Sequence, residues 1–94
     1  MKIKRFIWFE EILGKLEQKH RVRQEEVREA FANRPKFRFI EKGHRAGENV
    51  YAALGQTNEG RRLIVFFVHK KDQGALILSA RDMTPAERKR YEQK

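Results

Sequence analysis

The chain has 94 residues, 22 of them Lys or Arg and 13 Asp or Glu, for a formal charge of +9. It has no cysteine, which excludes disulfides, thiolate metal sites and cysteine nucleophiles. No apolar run approaches the ~20 residues that a membrane-crossing helix needs.

That leaves one modest core beneath an outward positive field. Such a field suits a polyanion, nucleic acid foremost. It also suits plain solubility or a small acidic protein partner. The absence of cysteine fits a reducing compartment, so a cytoplasmic location is expected.

Residues 2–9 are rich in β-branched and aromatic types and predict a strand. The segment begins like a secretion signal, but its apolar run stops at Glu10-Glu11. Residues 10–20 predict a helix, with Ile12, Leu13 and Leu16 on one face. A second helix is expected over 24–33, where Val27, Ala30 and Phe31 form the stripe. Asn33-Arg34-Pro35 ends it, because the residue before proline avoids the helical region.

The period then changes to two. Lys36 to Glu41 alternates, Gly43 to Gly47 is a loop, and Glu48 to Gln56 is a strand. Asn58-Glu59-Gly60 turns the chain into Arg61 to His69. That strand is apolar on both faces over 63–68 and belongs in the middle of a sheet. After a turn at Asp72-Gln73-Gly74 comes a last strand, Ala75 to Ala80. Thr84-Pro85-Ala86-Glu87 carries a cap, a first-turn proline and the reciprocal glutamate, and starts a final helix.

No linker or internal repeat interrupts the chain, so 1–94 reads as a single domain. The order β-α-α-β-β-β-β-α with short late turns predicts an α+β fold. Its parts are a small antiparallel sheet, two N-terminal helices and one C-terminal helix.

Few residues offer chemistry. His20 closes the first helix on its buried side, where the helix dipole favours the imidazolium. An unperturbed histidine titrates near neutrality and can transfer protons; it can also merely satisfy helix-end carbonyls. The three histidines lack ligand spacing, so no metal site is expected.

Arg61-Arg62 open the central strand and Arg81 closes the last one. If the two strands are antiparallel neighbours, these ends meet and two guanidinium forks can grip a phosphate. The plainer reading is that arginines are common where strands emerge into solvent. Tyr91, which follows Arg88-Lys89-Arg90, can stack a base or pack on the sheet.

In order along the chain stand Trp8, Lys19-His20, Glu26 through Phe31, Gly47-Glu48 and Tyr51. Then come 53–57, Gly60-Arg61, the apolar 63–68, Ser79-Ala80-Arg81, Glu87-Arg88 and Tyr91. This ordered series resembles the BrnT family of type II toxins over nearly the whole chain.

The resemblance implies a RelE-like fold, a metal-independent endoribonuclease without cofactors, and an RNA substrate. It also implies a BrnA-like ribbon-helix-helix antitoxin, with operator DNA reached only through the toxin–antitoxin complex. Carried over by position, the catalytic set is His20, Arg61 and Arg81. Lys19, Arg62 and Tyr91 are expected to bind substrate.

Two positions depart from the pattern. Arg21 stands where many members have glycine, and Ala75-Leu76-Ile77 lacks a strand arginine that many members carry. The second departure favours the competing reading, a non-catalytic basic module that binds an antitoxin or nucleic acid.

Overall fold

The architecture follows from the two-faced strand at its centre. The computed structural model describes residues 1–93. Its strands are β1 (Arg5–Ile7), β2 (Lys36–Glu41), β3 (Val50–Gln56), β4 (Arg62–His69) and β5 (Gly74–Asp82). They form one sheet in the order β1-β5-β4-β3-β2, with β4 in the middle as its composition predicts. The helices are α1 (Glu10–Lys15), α2 (Gln24–Ala32) and α3 (Pro85–Glu92). None is long and apolar enough to cross a membrane.

Alternation along β4 builds two cores. Leu63, Val65 and Phe67 face Leu16, Val22, Val27 and Ala30 from the N-terminal helical region. Ile64 faces the other way, into a smaller cluster with Ala52, Leu54 and Met83, closed by Phe66 and Tyr91. Phe67 anchors the larger core. Its ring meets Phe31 edge-on at 5.2 Å and Phe37 at 6.0 Å, and lies nearly parallel to Tyr51 at 6.1 Å.

The α+β class holds, but the sheet is mixed rather than antiparallel. The tight turns make β2 to β5 antiparallel, as expected. β1 instead runs parallel to β5, with Phe6 opposite Ala75 and Ile7 opposite Leu76. No short turn ties β1 to a partner, so packing sets its direction. Two helices carry the chain from β1 at one edge to β2 at the other.

The first helix also differs in detail. It is α-helical only through Lys15 and widens to a π-helical turn over Leu16–His20. The turn ends at Arg21, whose backbone is left-handed (φ 52°, ψ 42°). The Leu16 carbonyl accepts from both the Arg21 and Val22 N–H groups. This explains why glycine suits the position after His20: it adopts that conformation without the Cβ penalty.

Close approach fixes one further glycine. A Cβ on Gly55 would stand 2.1 Å from the Ala30 carbonyl oxygen, so α2 rests its backbone directly on β3. Gly55→Ala should therefore destabilise the fold by about 2–3 kcal/mol, because neither backbone can give way. Urea unfolding of the variant against the parent checks this, and an unchanged midpoint would contradict the packing.

Candidate active site at the end of the central strands

β4 begins where β5 ends, with Leu63 opposite Asp82 and Ile64 opposite Arg81. Arg61 sits one residue ahead of β4, and Thr57 fixes its backbone. The buried Thr57 donates its N–H to the Arg61 carbonyl at 2.8 Å, and its hydroxyl accepts the Arg61 N–H at 3.0 Å.

From there the Arg61 guanidinium turns toward the N-terminal helices. Nε donates to Asp82 Oδ1 at 2.7 Å, and Nη2 donates to Asp82 Oδ2 at 3.2 Å and to the His20 carbonyl at 2.9 Å. Nη1 donates to the Arg21 carbonyl at 2.8 Å and to Glu26 Oε2 at 3.1 Å. Those contacts use all five N–H groups of the fork. The carbonyls at the end of the first helix are thus satisfied by the arginine just ahead of β4, not by the His20 ring. The imidazole stays partly exposed beside this network.

Charge follows geometry. The hydrogen bond to Asp82, then those to Glu26, raise the Arg61 pKa against the opposing effect of burial. Asp82 is held below the usual carboxylate range by Arg61, with a smaller contribution from His20. Burial pushes the Glu26 carboxyl up, but the Arg23 backbone N–H and Arg61 together outweigh it, and its pKa falls.

Arg81 faces the other side of the sheet. It grips Glu87 with both ends of its fork, at 2.7 and 3.0 Å, and its guanidinium carbon stands 5.6 Å from the Phe66 ring centre. Arg81 Nη1 also donates to the Asp82 main-chain carbonyl at 3.1 Å. The two arginines therefore come to one end of the sheet, as the strand pairing predicts, with Asp82 between them. They approach from opposite faces, each with its own carboxylates, and do not form a bare pair.

The other expected residues fall around this end. Lys19 is exposed on the π turn. Arg62 pairs with Glu92 at 2.6 Å. The Tyr91 ring packs against the smaller core, with its hydroxyl 3.4 Å from the Asn33 and Arg34 carbonyls.

Nothing in the sequence marks Glu26, Asp82 or Glu87 as a partner of these arginines. Glu87 was legible only as a helix cap, which it is: it accepts the Thr84 N–H at 2.8 Å while binding Arg81. Among the described residues, no group of three or more His, Asp or Glu side chains is placed to hold a metal ion.

Two outcomes follow from these pairs. Arg61→Lys should lower stability by about 2 kcal/mol, because a single ammonium cannot span two carboxylates and two carbonyls. Denaturant titration at pH 7 reads this directly. Arg81 holds the Glu87 carboxyl down at about 2, against an ordinary 4.5. A depressed acid stabilises the fold fully above the ordinary value and loses that contribution as pH falls toward the folded one. Glu87→Gln should thus lower stability at pH 7 and flatten its decline between pH 4.5 and 2; an unaltered pH profile would show that the pair contributes nothing.

Comparison with known proteins adds an independent finding. Residues 8–87 match the family model described as the ribonuclease toxin, BrnT, of type II toxin-antitoxin systems. No curated protein matches the chain. The family match runs from just after β1 to the first turn of α3 and takes in His20, Arg61, Arg81 and Asp82, so this chain belongs to the BrnT family of ribonuclease toxins.

Proposed function

We propose that this protein is a metal-independent endoribonuclease that cleaves RNA at the end of β4 and β5. The observation that supports this reading is that Arg61, bound to the Asp82 carboxylate and the His20 carbonyl, and Arg81, bound to the Asp82 main chain from the other face, come to one end of the sheet. The ribose 2′-hydroxyl attacks the adjacent phosphorus and the bond to the 5′-oxygen breaks. RNA supplies its own nucleophile, so the protein need only move protons and stabilise charge.

His20 is assigned the proton transfer, since its ring is partly exposed next to a cationic network. Arg61 and Arg81 are assigned the negative charge that develops on the phosphoryl oxygens. Their carboxylate partners account for how two guanidinium groups rest at one site without substrate. Lys19 and Arg62 are assigned to the RNA backbone, and Tyr91 to the neighbouring base once the strand is bound.

The remaining proposals extend the family membership. They are a RelE-like fold, a cytoplasmic location, and neutralisation by a ribbon-helix-helix antitoxin of the BrnA kind that carries the complex to operator DNA.

A second reading has its own support. Every N–H of Arg61 is engaged within the chain, and both ends of the Arg81 fork hold Glu87. The positions lacking a strand arginine place Ala75 and Ile77 in the core. A non-catalytic module that binds RNA or an antitoxin is compatible with that saturation.

Cleavage of an oligoribonucleotide in excess EDTA separates the two. The expected result is a cut in RNA, none in the 2′-deoxy analogue, and a loss of about 10²–10³ in rate for His20→Ala or Arg81→Ala. Metal-dependent activity, DNA cleavage, or full activity in a variant that combines His20→Ala with Arg81→Ala would sink the mechanism. Tight, salt-dependent RNA binding without cleavage or growth arrest would establish the module instead.

A further inference from the structure

α3 is eight residues long and covers its sheet face only over the cluster around Ala52, Leu54, Ile64 and Met83. The same face continues toward the other end of the strands. There Val50, Val68 and Leu76 stand in register across β3, β4 and β5, and Ile7 of β1 lies beside Leu76. None of these four is fully buried. Leu78, the extra residue where the β4–β5 register shifts, is 37% exposed on the same patch.

The 42–48 segment walls one side and closes an open cleft of about 380 Å³ over Val50, Val68, Leu76 and Leu78. An apolar row running across four strands without a covering element is the kind of patch that marks a protein contact.

Its rim is basic. Lys42, Arg45 and Lys70 border the cleft, and Lys71 follows, against Glu41 and Glu48. Glu48 is already held by Lys70 at 3.1 Å. Lys42, Arg45 and Lys71 have no ion-pair partner among the described residues. At the arginine end Glu26, Asp82 and Glu87 already balance Arg61 and Arg81, and Lys19 and Arg21 there, likewise unpaired among the described residues, border no open apolar row. Uncompensated cations and open apolar area therefore coincide at the far end of the sheet.

A second copy of this chain fits poorly here, because each copy carries +9 and presents the same basic rim. RNA offers phosphates to the rim but nothing that would bury the aliphatic row.

We propose that this open half of the sheet is the docking surface for the antitoxin, through an amphipathic segment. Its apolar face covers the Val50–Val68–Leu76–Leu78 row and its acidic flank meets Lys42 and Arg45. The proposal rests on the toxin–antitoxin reading and adds to it where the partner sits. The anchor lies away from His20 and Arg61, at the opposite end of β4.

The test uses the protein encoded by the reading frame next to this chain's gene, titrated against the full chain. Leu78→Asp should weaken binding at least 100-fold, because a carboxylate would be buried in the apolar contact. Lys42→Glu with Arg45→Glu should weaken it about 10-fold, with a shallower salt dependence. Arg88→Glu on the first half of α3 is the control that should leave it unchanged. Leu78 is already over a third exposed, so its variant should fold; hydrogen exchange on the wild-type complex, with protection expected over 42–50 and 74–78, tests the surface without any variant.

If the neighbouring protein binds but both variants stay within threefold of wild type, or protection falls elsewhere, the surface is wrong and the toxin–antitoxin reading stands. If that protein does not bind the wild-type chain, the reading itself fails and this proposal with it. If the chain alone self-associates and Leu78→Asp abolishes it, the patch belongs to a second copy and the assignment is overturned.

Discussion

One guanidinium group holds together three segments that share no local sequence. Arg61 reaches the end of the first helix through the His20 and Arg21 carbonyls, α2 through Glu26, and the end of β5 through Asp82. Remove it, and two helix-end carbonyls, the partly buried Glu26 and the exposed Asp82 lose their donor together. The cost of stranding such groups exceeds the modest net worth of any one hydrogen bond. The same contacts set where His20 stands. Its carbonyl is clamped to β4, and its ring therefore emerges at the end of the sheet.

That clamp also settles how the first helix ends. A regular α-helix ends with several carbonyls unmet. Here the chain widens into a π turn, takes a left-handed step at Arg21, and offers two carbonyls to one fork. Lysine could not replace that arginine, because the geometry needs a planar group with donors on three sides. A left-handed arginine costs roughly 1–2 kcal/mol relative to a relaxed backbone, so the cross-link offsets strain located in the same few residues.

The strand pattern of the fold was legible because it depends on alternation and turns. The period-two runs and the two turns predict β2 to β5, and a strand apolar on both faces has to be central; β4 is. β1 was legible as a strand but not in its direction, since no turn connects it to β5. The π turn left no mark, because a single widened turn keeps the apolar stripe almost intact through Leu16.

At the site, the meeting of Arg61 and Arg81 at one end followed from antiparallel pairing. Their acid partners did not follow. Glu26 lies 35 residues from Arg61, and nothing local distinguishes it from the exposed Glu25 beside it. Glu87 announces its capping role through Thr84 three residues earlier, while its bond to Arg81 depends on how α3 folds back on the sheet.

Net charge therefore says less about this protein than its local balance does. The chain carries +9, yet Arg61 and Arg81 are matched by carboxylates, and Arg62 by Glu92. A phosphate arriving there meets a network already in place and must displace or share its acids. That favours anions that present two oxygens to a guanidinium fork over any passing anion. Cations without an ion-pair partner among the described residues stand on the π turn at Lys19, along α3, and around the open half of the sheet. They supply long-range attraction that salt screens readily. Long-range field and fixed local pairing are thus carried by different residues: the unpaired lysines and arginines supply the field, while Arg61 and Arg81 are held in place by their carboxylates.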